Sequence, residues 1–221
     1  MKKSLAVLLV ALLSAGAVAT ATPQTQFNRG EFQIDLGAWS PMANISRGTG
    51  FSHSWDFAGG LTYGLSDKLA LQYQYWGLKS KSRDYSDHSD LSGQQHEVNL
   101  LYSLSPKIAA YTGYSRIHFS KSDADGPYDS NDTNSVAQIG VIAKTSVAKN
   151  LDIYAKGALG THKTSLWEAG LGYSFTPDLD FSMGDRHLDT DRHSSVHDSN
   201  GTFQGMIAML SYRFGAPKAQ K

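Results

Sequence analysis

The chain has 221 residues, with 20 Lys and Arg against 20 Asp and Glu, and no cysteine. Balanced charge excludes the strongly basic footprint of a nucleic-acid-binding protein. The absence of cysteine excludes a disulfide scaffold as the source of order.

In chain order, Met1-Lys2-Lys3 is a basic start, residues 5 to 18 are apolar and uncharged, and small-x-small sites follow at 17 to 19 and 19 to 21. This pattern predicts a secretory signal peptide over 1–21, with cleavage after Ala21 or Ala19, because the apolar run is short for a membrane span. Removing Lys2 and Lys3 leaves eighteen bases against twenty acids. Residues 22–29 are expected as an N-terminal periplasmic tail.

From there the apolar residues repeat every second position. Phe32, Ile34, Leu36 and Ala38 alternate with Glu31, Gln33, Asp35 and Gly37. Similar dyads run through Trp55 to Tyr63, Leu69 to Tyr75, Val98 to Tyr102, Ile139 to Ala143, Leu151 to Ala155, Trp167 to Phe175 and Met206 to Phe214. A period of two means strands with one apolar face. The mature chain has no apolar run long enough for a membrane helix, but a membrane strand shows lipid only every other residue.

The connections repeat as well. Tyr63-Gly-Leu-Ser-Asp-Lys-Leu69, Tyr102-Ser-Leu-Ser-Pro-Lys-Ile108 and Tyr173-Ser-Phe-Thr-Pro-Asp-Leu179 share one pattern, with a degenerate copy at Ala143 to Leu151. Each reads as a tight hairpin. Between them lie longer polar stretches, roughly 41–52, 78–93, 120–133 and 187–200, and a short one near 161–165. Short turns alternating with long loops are the mark of a closed transmembrane barrel, with turns in the periplasm and loops outside. The fold class is therefore all-β: a closed antiparallel transmembrane β-barrel over 30–214. Ten strands are predicted, at 30–40, 53–64, 68–77, 94–104, 107–119, 134–144, 150–160, 165–175, 178–187 and 201–214. Eight remain if 107–119 and 178–187 are loops. Residues 215–221 form a short C-terminal tail.

The signal peptide, the dyads and the aromatic last strand ending in Tyr212-Arg213-Phe214 resemble the small outer-membrane β-barrel superfamily, of the OmpA/OmpX and opacity-protein type. The resemblance covers the whole mature chain and implies residence in the cell outer membrane. It also implies that Tyr212 and Phe214 form an assembly signal read by the barrel-assembly machinery. Here seven residues follow Phe214, so the signal is not at the terminus. Implied partners are outer-membrane lipid and lipopolysaccharide; nucleic acid is not expected.

The face away from lipid supplies a polar network of balanced sign: Asp35, Asp56, Glu97, Arg116, Lys156, Glu168, Arg186 and Arg213, joined by Asp180 and Lys144. In a small barrel such groups fill the interior and pair with one another. The histidines map to the outer rim and loops without metal-ligand spacing, so no metal or cofactor is expected. Two enzyme resemblances are incomplete. Asp185-Arg-His187 and Asp191-Arg-His193 are similar to the Asp-x-His half of the omptin proteases, also ten-stranded; the second acid pair would have to come from Asp84 or Asp87. His197-Asp-Ser199-Asn200 resembles the His-x-Ser-Asn of outer-membrane lipid A deacylases, but residues 201–221 contain no acid to orient the histidine. The expected function is a non-enzymatic surface scaffold with acidic, His-containing loops, with a narrow porin-like channel as the alternative.

Overall fold

The computed structural model describes residues 23–45, 49–82, 90–122, 130–193 and 198–215. The expected signal peptide, the segment after Gly215 and parts of four outer loops lie outside them.

Among the described residues twelve strand segments occur: β1 (Phe32–Ile45), β2 (Thr49–Ser52), β3 (Asp56–Gly64), β4 (Leu69–Gly77), β5 (Ser80–Ser82), β6 (Asp90–Ser105), β7 (Ile108–Ser122), β8 (Ser130–Ala148), β9 (Leu151–Gly160), β10 (Ser165–Ser174), β11 (Leu179–His193) and β12 (Asp198–Phe214). All pairings are antiparallel. The ring runs β1-β3-β4-β6-β7-β8-β9-β10-β11-β12, and β12 returns to pair with β1 from Phe32↔Phe214 to Ile45↔Gly201. That seam closes ten strands into a barrel and leaves no edge, as lipid requires. The segments that could have been loops are strands β7 and β11, so eight strands is ruled out. The short β2 and β5 carry the wall upward above β3 and β4, bridging β1 to β6.

The repeated turn sequence produces a repeated turn. In the β3–β4 connection the N–H groups of Leu65 and Ser66 donate to Leu69 O at 2.8 and 3.0 Å, and Ser66 Oγ accepts from Leu69 N at 3.1 Å. The β10–β11 connection copies this with Phe175, Thr176 and Leu179, at 2.9, 3.2 and 3.0 Å. A Ser or Thr hydroxyl that holds the backbone two or three residues on is what makes these residues turn formers.

Outward-facing apolar residues form a continuous band. Leu36, Leu61, Leu71, Leu100, Val141, Ile153, Leu171 and Leu210 are all 41–55 % exposed, although a water-soluble sheet would bury them. Tyr63, Tyr102, Tyr212 and Phe214 rim the band at the end of the short turns. Aromatic residues gather there because their rings favour the membrane interface.

The strands run on past this band, further than their apolar dyad predicts: β7 reaches Ser122, β8 starts at Ser130, and β11 reaches His193. Beyond the band the pattern inverts. On β11, Phe181 and Met183 face outward, then Leu188 is buried inside while Asp185, His187 and Asp189 face out. On β7, Tyr114 faces out, then Ile117 is buried and Arg116 is exposed. Above the membrane the outer wall meets water, so the apolar face turns inward.

Candidate functional site

The interior is the candidate site, because it gathers the buried polar and charged side chains along the path a solute would take. It is filled in three tiers.

The middle tier is ionic. Arg186 on β11 is fully buried. Its Nη2 donates to Glu97 Oε1 at 2.8 Å and to Gln95 Oε1 at 3.1 Å, and its Nη1 donates to Glu168 Oε2 at 3.3 Å. The guanidinium lies 3.9 Å from the Trp76 ring centroid and 5.4 Å from that of Trp39, so the cation is also held against aromatic faces. Glu97 receives further support from Lys156 Nζ at 3.7 Å, Asn99 Nδ2 at 3.3 Å and Gln138 Nε2 at 3.2 Å. Lys156 donates to Gln74 Oε1 at 2.8 Å. Taken together, β1, β4, β6, β8, β9, β10 and β11 all send a side chain into this tier. Buried charges persist only when paired and hydrogen-bonded in this way.

The outer tier is apolar. Trp39 and Trp76 meet edge to face at 5.9 Å, and Trp39 Nε1 donates to Gly205 O at 3.1 Å. Leu78, Leu91, Ile117, Leu188, Phe203 and Ile207 are buried here. Gly205 is required by this approach: a Cβ there would lie 1.8 Å from Ser40 O.

The tier at the short-turn end is sealed by the segment ahead of β1. Residues expected as a tail fold into the mouth: Gln24, Thr25 and Phe27 are buried. Gln24 Nε2 and Asn28 Nδ2 donate to the two Glu31 oxygens at 3.1 and 2.5 Å, and Thr25 Oγ1 donates across the mouth to Pro106 O at 2.7 Å. Above it Arg213 pairs with Asp180 at 2.7 Å and donates to Pro177 O at 2.8 Å, while Asp35 Oδ1 accepts from Gln33 Nε2 at 2.6 Å. Lys144 is buried nearby.

Of the residues assigned to the interior from sequence, Asp35, Glu97, Lys156, Glu168, Arg186 and Arg213 are buried within it. Two are not. Arg116 is exposed on the outer wall, because it shares the phase of Tyr114 and lies where the pattern inverts. Asp56 is half-buried at the upper end of β3 and accepts from Phe57 N at 2.8 Å; among the described residues it makes no ion pair. Sequence reasoning missed the clamp formed by Trp39 and Trp76. Its signal was an apolar residue standing in the polar phase beside Ala38.

Of the enzyme motifs, the described Asp185 and His187 face outward: Asp185 Oδ1 accepts from Gln204 Nε2 at 3.3 Å, and the His187 ring stacks on Trp167 at 5.3 Å and 10°. Asp84, Asp87 and His197, and the side chains of His193 and Ser199, lie outside the described residues. Among the described residues no three metal-binding side chains cluster. The aromatic pair Tyr212 and Phe214, 4.5 Å apart, sits at the seam, where Phe214 also meets Phe32 at 6.5 Å.

The fold agrees with what the chain is similar to. Residues 5–214 match the model of the outer membrane protein beta-barrel domain. The outer membrane protease OmpT from Escherichia coli aligns at 11 % identity over 90 % of this chain and 100 % of its own, with a TM-score of 0.57. Ail, the attachment invasion locus protein of Yersinia pestis, aligns at 12 % identity over 84 % and 99 %, with a TM-score of 0.45. Neisserial surface protein A aligns at 16 % identity over 84 % and 100 %, with a TM-score of 0.44. No curated protein gives a significant sequence match. With the family model spanning nearly the whole chain, this protein belongs to the outer membrane protein β-barrel domain family, and its place is the cell outer membrane.

Proposed function

We propose that the protein is a non-conducting, non-catalytic barrel that anchors and displays its polar outer loops at the cell surface. The observation that supports this is the filled interior. Arg186 joins Glu97 and Glu168 across the bore, an apolar tier lies above them and the Phe27 segment lies below. A porin needs a continuous water-filled path, whereas a barrel of this size is filled by its own side chains. Lipid and lipopolysaccharide surround the wall, and the barrel-assembly machinery reads Tyr212 and Phe214 during insertion. Planar-bilayer recording on the refolded full chain tests the reading. No stepwise current is expected across the voltage range; reproducible ohmic steps would make the channel alternative the correct one.

A further inference from the structure

The segment ahead of β1 closes the short-turn mouth without joining the barrel. Residues 23–31 form no strand. Thr25 Oγ1 reaches Pro106 O, in the β6–β7 turn across the mouth, at 2.7 Å. Arg29 N donates to Asp67 Oδ1 at 3.4 Å, and Gly30 N donates to Gly64 O at 2.8 Å. The side-chain amides of Gln24 and Asn28 go to Glu31 of the same stretch rather than to the wall. Phe27 is its one large apolar side chain, and it is buried. Scattered attachments of this kind open more readily than a strand ladder, whose bonds must break together.

The segment also has a hinge. Gly30 sits at φ 79°, and a Cβ there would meet nothing within 4 Å, so the backbone has room to turn. Asn28, by contrast, lies flat on the end of β3, where a Cβ on Gly64 would stand 2.0 Å from Asn28 O.

Behind the segment the barrel is polar. Gln33 and Thr62 line the space against Gln24 and Phe27, and Gln72 Nε2 donates to Thr62 Oγ1 at 3.2 Å. Gln33 Oε1 is buried there with no hydrogen-bond partner among the described residues. Asp35, Asp180 and Arg213 follow further in, short of the Arg186 tier. With the mouth closed, an acceptor stays dry at a cost. With it open, water reaches that acceptor while Phe27 loses its cover, so the gain offsets part of the loss. From these features we infer that residues 24–28 are a releasable plug, hinged at Gly30, that controls entry from the periplasm to a blind polar vestibule ending at the Arg186 tier. It acts at the inner mouth alone, apart from any display of the outer loops.

The chain has no native cysteine, so accessibility tests this directly. Protein extracted from outer membranes is held in detergent micelles, where a bulky water-soluble maleimide reaches both mouths. A Thr62→Cys variant should label slowly but to completion, while its heat-modifiable gel band shows it folded. Gly64→Ala, which pushes Asn28 off the wall, should speed that labelling about tenfold, the scale of one lost contact in a local opening equilibrium. Oxidising a Thr25→Cys and Pro106→Cys pair in the same chain should stop it. Ile117→Cys, buried in the outer tier, should label at one rate in all three backgrounds. If Gly64→Ala does not fold, the locked and unlocked chains decide by themselves. Equal labelling of Thr62→Cys with the plug locked or free would overturn the proposal. So would complete protection in every folded form, which would make the segment a fixed filler.

Discussion

Arg186 Nη2 stands 2.8 Å from Glu97 Oε1, with neither side chain reachable by solvent, although 89 residues separate them. The pair crosses the bore and ties β11 to β6 on the opposite wall. Removing one partner strands a charge. Arg186→Met should lower stability in lipid by about 3–5 kcal/mol, because Glu168 loses its guanidinium partner and Glu97 is left with Lys156, at 3.7 Å, as its cation. Adding Glu168→Gln should recover part of that loss, with Glu97 kept charged to pair Lys156. Urea titrations in liposomes read both. An unperturbed single variant would mean that the tier is hydrated and the bore open.

Leu71 faces outward, beside Tyr63 and Leu100 on the neighbouring strands, and is 46 % exposed. Leu71→Arg should cost about 1 kcal/mol in a bilayer, less than at the midplane, because Leu71 sits on the lipid face one cross-strand step from the rim residue Tyr63. The same equilibrium unfolding assay checks it. A silent substitution would remove that position from the lipid face.

The β9–β10 turn holds His162 at φ 56° and Lys163 at φ 49°, closed by Gly160 N donating to Thr164 O at 2.8 Å. Two successive left-handed residues suit Asn-Gly, and each ordinary side chain there costs roughly 1 kcal/mol. The exposed Lys163–Asp191 pair, 2.9 Å long, offsets little of this. His162→Asn with Lys163→Gly should therefore stabilise the barrel by about 1–2 kcal/mol. A lower urea midpoint would show that the native side chains contribute more than the strain they carry.

The membrane part of the barrel was legible because lipid imposes one rule on every strand: apolar outward, every second residue. Leu36, Leu71, Leu171 and Leu210 obey it. Above the band the rule reverses, so Leu188 and Phe203 turn inward, and strands whose outer face is polar read as loops. Arg116 shows the consequence. Charge suggests the interior, but its phase keeps it on the wall with Tyr114. The Gln24–Phe27 segment has no period to read, since it crosses the mouth as irregular chain. Nor does spacing reveal that Arg186 meets Glu97 and two tryptophans, because those contacts depend on closure of the ring rather than on neighbours in sequence.

The chain has no native cysteine, so single cysteines can be placed along β12 without background. The most direct test of the closed barrel is a scan of residues 206–211 in bilayers, using a membrane-soluble maleimide fluorophore and brominated lipid as quencher. Cysteines replacing Met206, Ala208 and Leu210 should label and be quenched, while those replacing Ile207, Met209 and Ser211 should resist labelling in the folded protein. Uniform labelling, or quenching on the other phase, would contradict the account.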